Sequence, residues 1–279
     1  MTTRRLDGRE VASHLRRDLE HRVQQLAASG EGSPPRLAIV QDGMSQGAGL
    51  YAASLERAAR SVGVSTHLIV GAGPHDGAIA ELNRDPGITG IVLAQPFADV
   101  GEGRRLVELI DPAKDVDGAT PTNAGRLARG EPAFVPATAL AVIAILEAFD
   151  IKVAGRRAVI VGRSAVVGRP VASLLLARDA TVVICHRQTL HLARETRRAE
   201  LLVAAAGVPG LIRPEMVNAS AVVIDCGINA TDAGIVGDVE FAAIAPFVSA
   251  ITPVPGGIGP VTPMMVLRQT VESAERQVP

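Results

Sequence analysis

The residues best placed to do chemistry are two glycines, Gly162 and Gly168, inside the run AVIVGRSAVVGRPVASLLL. A buried strand, a glycine turn and a helix start follow one another there. Gly162 permits a sharp turn, and Gly168 lets the first helical turn approach a pyrophosphate. Free N–H groups and the positive dipole end at that point suit an anion. Val167 belongs to the same turn. The spacing departs from G-x-G-x-x-G, so a plain strand-to-helix turn is the alternative. The next strand, Thr181–Cys185, ends in His186-Arg187-Gln188-Thr189, with no acid to grip a ribose 2′-hydroxyl as NAD-preferring sheets do. Arg163 and Arg187 are instead expected to flank a 2′-phosphate, because guanidinium meets phosphate with a planar donor fork. Two solvated surface arginines are the bland alternative. His186 and His191 have no carboxylate or thiol companion at ligand spacing, so no metal is expected.

The elements that must position this turn read as an alternation of strands and helices. Val11, Leu15, Leu19 and Val23 recur at helical spacing and predict a helix over 8–28. Strands are expected at Arg36–Val40, Val64–Val70 and Gly90–Leu93, with helices at Gly49–Val62, Gly77–Arg84 and Arg104–Ile110. A loop, DPAKDVDGATPTNAG, follows. The Ala/Leu/Ile helix Ala137–Phe149 leads to a second alternation, with strands at Ala158–Val161, Thr181–Cys185, Leu201–Ala205, Ala221–Cys226 and Ser249–Thr252. A helix over Gly168–Ala177 follows the glycine turn. A last helix, Pro263–Arg276, follows the second sheet and is expected to pack back on the first domain. Such alternation implies parallel sheets with helices on their faces, and 279 residues suffice for two domains. No internal repeat interrupts it.

Composition narrows the function. Apolar residues make up 47% of the chain, enough for real cores, yet it has no Trp and a single Tyr, Tyr51. The net charge of −1 offers no electrostatic footprint for nucleic acid or an anionic membrane. The two cysteines, Cys185 and Cys226, sit in apolar strand-like runs and are expected to be buried thiols in a reducing compartment. The charged N-terminal helix has no apolar signal core, and no run approaches the ~18 apolar residues of a membrane span, so a cytoplasmic location is expected.

Four stretches carry a more specific signal: KDVDG (Lys114–Gly118), VGRSAVVGRP (Val161–Pro170), VIDCGIN (Val223–Asn229) and TPVPGGIGPVTPM (Thr252–Met264). In this order, with VGDV at Val236–Val239, the chain resembles the methylenetetrahydrofolate dehydrogenase/methenyltetrahydrofolate cyclohydrolase family over nearly its whole length. The resemblance implies an α/β fold of two domains with a cleft between them. An N-terminal folate-binding catalytic domain would comprise residues 1–137 and the C-terminal helix 264–279. A Rossmann-like NAD(P)-binding domain would comprise residues 138–263 and join two copies as a homodimer. The implied substrate is a tetrahydrofolate derivative with a methylene bridge between two nitrogens. One step sends hydride from that carbon to NADP, and a second adds water to the resulting methenyl cation. Implied cofactor contacts are Gly162, Arg163, Ser164, Val167, Gly168, His186, Arg187, Ala205, Gly227, Ile228 and Thr262. Implied substrate contacts are Tyr51, Asp117, Thr138, Pro255, Gly256, Gly257 and Pro260. A carboxylate at 117 can accept two N–H bonds from a 2-amino-pyrimidinone edge, although a turn-capping Asp before Gly118 would look the same. Core packing is the alternative for Tyr51.

The departures from the family pattern cluster on the substrate side. The family has a catalytic lysine four residues after its tyrosine, one helical turn along and expected to face the same way. Here that position holds Leu55, and Arg57 points elsewhere. The family's strand-end V-Q-L-P appears as Leu93-Ala94-Gln95-Pro96, which puts Ala94 in place of the glutamine and leaves Gln95 one residue out of register. Hydride loss is mainly a positioning problem, whereas water attack needs proton transfers. The leading expectation is therefore an NADP-dependent dehydrogenase with weak or lost cyclohydrolase activity. The alternatives are a specialised paralogue acting on another folate adduct or iminium-forming amine, an ordinary bifunctional enzyme, and a non-catalytic folate or NADP binder.

Overall fold

The structure is a computed structural model that describes residues 3–29, 34–71, 74–232 and 234–277. In chain order the elements are β1 (Arg4–Arg5), α1 (Gly8–Ser29), β2 (Arg36–Gln41), α2 (Gln46–Val62), β3 (Ser65–Val70), α3 (Asp76–Arg84), β4 (Gly90–Leu93), α4 (Val100–Leu109), α5 (Pro121–Ala128) and α6 (Ala137–Ala148). They continue as β5 (Arg157–Val161), α7 (Gly168–Leu176), β6 (Thr181–Cys185), α8 (Leu192–Thr196), β7 (Leu201–Ala204), β8 (Val222–Asp225), β9 (Asn229–Thr231), β10 (Gly234–Val236), α9 (Phe241–Ile244), β11 (Ala250–Ile251) and α10 (Ile258–Glu275). The chain divides into two compact units, residues 13–137 with 263–279, and residues 1–12 with 138–262. Among the described residues no helix is long and apolar enough to cross a membrane.

The first unit is built on a three-stranded parallel sheet in the order β3-β2-β4. Ala38 and Val40 of β2 share a face with Ile91 and Leu93 of β4, and that face packs on Ile79 and Leu82 of α3 and Leu106 of α4. The alternate residues Leu37 and Ile39 are buried too, as a sheet covered on both sides requires. Helix α2 starts where Ser45 accepts the Ala48 N–H and stops at Gly63, whose φ of 81° is left-handed. Between these caps, Ala48, Ala52, Leu55, Ala59 and Val62 form its buried stripe.

The segment after α4 is not one continuous loop as the sequence reading has it. Thr120 accepts the Asn123 N–H and Pro121 occupies the first turn, so α5 forms. These start signals lie inside a Gly/Pro-rich run that otherwise reads as coil. Helix α10 begins at Ile258, ahead of the expected start at Pro263. Pro260 falls in its first turn, where a missing N–H costs nothing, and Pro263 lies inside the helix. Further along α10, the buried Gln269 donates from Nε2 to the Val116 and Val135 carbonyls, at 2.7 and 2.9 Å. Its Oε1 accepts the Val135 N–H at 2.8 Å. One side chain thus satisfies three backbone groups of the segment that carries the KDVDG run.

The second unit holds a six-stranded sheet in the order β1-β11-β8-β7-β5-β6, with every pairing parallel. From β5 the chain moves outward to β6 on one side and to β7, β8 and β11 on the other. The order therefore reverses between β5 and β7, the position where such sheets bind ligands at their strand ends. The edge strand β1 belongs to this sheet, pairing Arg4 and Arg5 with Ala250 and Ile251. A two-residue strand has too little pattern to be read from sequence, and the antiparallel β9–β10 hairpin escapes for the same reason.

Replacing Gln269 with leucine would keep the volume and leave three buried backbone groups without partners. Each such group costs about 1–3 kcal/mol. The Gln269→Leu variant is expected to unfold at a clearly lower urea midpoint with an unchanged m value. A midpoint matching the unmodified protein would show that this bonding contributes nothing net.

Candidate active site

In the KDVDG turn, three ionisable side chains divide the work. Lys114 is buried and its Nζ donates to the Leu82 and Asp85 carbonyls at 2.9 and 2.7 Å, closing the end of α3. Burial pushes its ammonium pKa down. Asp115 accepts from the Ala119 and Thr120 N–H groups and from Asn123 Nδ2, at 2.9, 2.8 and 2.8 Å. Both are consumed in holding the turn. Asp117 is different: its Oδ1 takes one N–H, from Ala137 at 3.2 Å. Burial, and secondarily the charge of Asp115, raise its carboxyl from 3.8 to about 7. It is the acid in this turn with acceptor capacity to spare.

Tyr51 lies half-buried in α2. Burial pushes its phenol well above the usual value, and the charge of Asp117 adds to this. Leu55, one turn along, has no exposed surface and belongs to the core stripe of α2. The expected cleft-facing position at 55 is corrected: Leu55 packs in the interior, whereas Tyr51, one turn earlier, keeps part of its surface exposed. Ala94 is fully buried just past β4, while Gln95 is exposed. Thr138, the second residue of α6, is half-buried.

In the second unit, the glycine turn is as tight as its sequence suggests. Gly162 has φ 131°, and a Cβ there would sit 2.0 Å from the Ala205 carbonyl oxygen. A Cβ on Gly168 would sit 2.1 Å from the Gly162 carbonyl oxygen. Gly168 is thus required for packing the helix start against the strand end, a different reason from the expected approach to a pyrophosphate. Ser164 Oγ accepts the Val167 and Gly168 N–H groups at 3.1 and 3.5 Å, so it caps α7. Arg163 and Arg187 are both exposed, and His186 Nδ1 accepts the Gln188 N–H at 3.2 Å. The Thr262 hydroxyl donates to the Ile258 carbonyl of its own helix at 3.3 Å. Pro255 is exposed and Pro260 half-buried, while Gly256 and Gly257 are buried; the Arg9 guanidinium lies against Gly256. A glycine cradle beside a helix start, with two free guanidinium groups on its rim, fits a dinucleotide phosphate.

Two acids that the sequence reading passed over organise the neighbouring loops. Asp225, at the end of β8, accepts N–H bonds from Gly227, Asp238 and Val239, at 2.8, 3.0 and 3.0 Å. Asp238 accepts from Ala206, Gly207 and Val208, and from Asn229 Nδ2, between 2.6 and 3.0 Å. Burial raises the Asp225 carboxyl to about 6, against the pull of its hydrogen bonds. Burial likewise pushes the Cys226 thiol well up; Cys185 is buried, but Cys226 is only half-buried, contrary to expectation. The runs VIDCGIN and VGDV held both acids in view, but nothing in their spacing says that they meet.

Two family models cover most of the chain. The tetrahydrofolate dehydrogenase/cyclohydrolase catalytic domain matches residues 6–117, and the NAD(P)-binding domain of the same family matches residues 136–278. The chain belongs to the tetrahydrofolate dehydrogenase/cyclohydrolase family. A curated relative, bifunctional protein FolD 1 of Rhodococcus jostii, is 45% identical over 99% of this chain and 94% of its own length. Among solved structures, the bifunctional FolD methylenetetrahydrofolate dehydrogenase/cyclohydrolase of Campylobacter jejuni superimposes with a TM-score of 0.95. It is 36% identical, over 99% of both chains. The Trypanosoma brucei methylenetetrahydrofolate dehydrogenase-cyclohydrolase, solved with NADP and an inhibitor, gives 0.94 at 32% identity, over 100% of this chain and 99% of that one. Family membership makes the six-stranded unit the NAD(P)-binding domain and the three-stranded unit the catalytic domain.

In this dehydrogenase/cyclohydrolase chain, the carboxyl of Asp117 gives a stability signature. Its folded pKa of about 7 lies above the unfolded value of 3.8, so the folded state keeps a proton that the unfolded chain releases. Stability is therefore lost as pH rises from about 4 to 7. Asp117→Asn keeps the acceptor for Ala137 and removes the titration. Its melting temperature is expected to match the unmodified protein near pH 4 and to exceed it increasingly up to pH 8. A constant difference across that range would assign Asp117 an ordinary pKa.

Proposed function

We propose that the protein oxidises 5,10-methylenetetrahydrofolate to 5,10-methenyltetrahydrofolate with NADP, and that its cyclohydrolase activity is weak or lost. The observation that carries this reading is the contrast within the catalytic unit. Asp117 has acceptor capacity to spare close to Tyr51, while Leu55 and Ala94, at the positions the resemblance assigns to lysine and glutamine, are apolar and sealed in the core. Asp117 would take the N–H groups of the pterin edge, and those donors favour its ionised form. The Tyr51 ring would lie against the pterin, and Thr138 with the Pro255–Pro260 segment would complete the substrate contacts. Gly162, Val167, Gly168, Ala205, Gly227, Ile228 and Thr262 would hold the cofactor along its length, with Arg163, Ser164, His186 and Arg187 around its phosphates and ribose. When bound, NADP accepts the hydride. The protein's own task is then to hold the methylene carbon in line, which needs no proton transfer. Water attack on the methenyl carbon does need one, and losing the group that moves it typically costs about 10²–10⁴-fold.

A second reading keeps both activities, and the names of the relatives favour it: those described above are called bifunctional or dehydrogenase/cyclohydrolase. The two readings separate in a spectrophotometric assay with methylenetetrahydrofolate and NADP that follows the methenyl product beside NADPH. The proposal expects the methenyl compound to accumulate and decay at the buffer rate. Leu55→Lys alone is expected to restore little, since an ammonium there enters an apolar core. Leu55→Lys with Ala94→Gln should exceed the two single changes combined. Enzymatic hydrolysis by the unmodified protein would establish the bifunctional reading.

Cofactor choice rests on the exposed Arg163 and Arg187 and on the missing acid after Cys185. NADP is expected to bind about tenfold or more tighter than NAD, and Arg187→Ala to remove most of that preference, as loss of one charge-assisted contact predicts. Equal dissociation constants for the two cofactors would refute it. We also assign the protein to the cytoplasm as a homodimer joined through its NAD(P)-binding domains. The edge strand β6 supports the dimer, with exposed Ile184 and the neighbouring exposed Leu176 and Leu190.

A further inference from the structure

Asp225 and Asp238 are buried, with 3% and 0% of their surface exposed. Every group that hydrogen-bonds them is neutral: six backbone N–H groups and the amide of Asn229. No ion pair among the described residues involves either acid. Two adjacent buried carboxylates without a cation are costly to maintain. Both oxygens of each acid accept N–H groups, which a carboxylate can do and a protonated acid cannot without turning its own proton toward a donor.

The sheet order says what lies above them. A dinucleotide in such a sheet crosses the strand ends where the order reverses, here between β5 and β7, with its pyrophosphate at the start of α7. Its adenosine half goes to the end of β6, where Arg187 stands. The nicotinamide half therefore extends over the ends of β7 and β8. Those strands run into Ala205–Val208 and Cys226–Asn229, the two loops that the acids hold. The approach is close: a Cβ on Gly227 would lie 2.3 Å from Asp238 Oδ1.

We propose that Asp225 and Asp238 form a fixed negative charge beneath the nicotinamide end of the site, which favours the oxidised, positively charged cofactor over the reduced, neutral one. The inference rests on the cofactor reading above. Hydride transfer moves two electrons and a proton's mass from substrate carbon to ring, and the positive charge passes from ring to substrate. The acids thus attract the ring before turnover and not after it, so they retain the oxidised form and release the reduced one.

The test is the ratio of two dissociation constants, for NADP and for NADPH, measured without folate on the unmodified protein, Asp225→Asn and Asp238→Asn. Binding of 2′-phospho-ADP-ribose, which lacks the ring, serves as the control for an intact site. Removing one unit charge at this depth is expected to shift the ratio roughly tenfold toward NADPH, with the control affinity little changed. The unmodified protein provides a second arm that does not depend on either variant folding. The groups facing Asp225 are Asp238, the Cys226 thiol and the Thr252 hydroxyl, whose oxygen accepts the Asp225 N–H. Protonation of Asp225 below about pH 6 should therefore move the ratio toward NADPH on its own. A ratio steady within about twofold in the folded variants and from pH 5.5 to 8 would overturn the proposal and leave the acids as loop anchors, since loss of a nearby charge must exceed that. If the unmodified protein binds neither NADP nor NADPH, it is the cofactor reading that fails.

Discussion

Loops leaving the ends of β7 and β8 converge on two carboxylates that sit side by side in the interior, and seven N–H groups depend on them for an acceptor. The constraint reaches further than those bonds. Holding Ala206–Val208 places the Ala205 carbonyl against Gly162, and the Gly162 carbonyl in turn sets how near α7 can start. The strand ends of this sheet thus meet in a chain of close backbone contacts anchored at one end by two buried acids. Side chains are absent from its critical points because there is no room for them.

The catalytic unit follows a different economy. In the KDVDG turn, Lys114 donates to two carbonyls and Asp115 accepts from two backbone N–H groups and Asn123, and so they fix the turn. Asp117 is what that arrangement leaves over: a partly buried carboxyl with one donor and a pKa near neutrality. Gln269, reaching in from α10, holds Val116 and Val135 and so steadies the backbone on both sides of it. Incomplete bonding is thus concentrated in one residue of the turn.

Position 55 shows how the fold accepts an apolar residue where the resemblance assigns a lysine. The stripe of α2 that buries Ala52 and Ala59 also runs through Leu55, so an apolar residue there packs as well as any core leucine. Leucine there agrees with both the helix and the core.

Much of this was legible in the residues alone. Strand–glycine–helix order picked out the turn between β5 and α7, and the apolar periodicity found both alternating sheets; the absence of an acid after Cys185 underlies the cofactor preference proposed above. These signals are local, because they depend on φ preferences, on helical spacing and on which atoms one segment offers. Short elements were not legible: β1 and the β9–β10 hairpin exist because partners supply their hydrogen bonds, and α5 because a single Thr-Pro start outweighs its surroundings. Residue types alone also do not separate the spent acid Asp115 from the available Asp117, which only the resemblance singled out, or reveal that Asp225 and Asp238 meet. Both facts depend on which donors surround a carboxylate in space, and residues far apart in the chain decide that only once the backbone has folded.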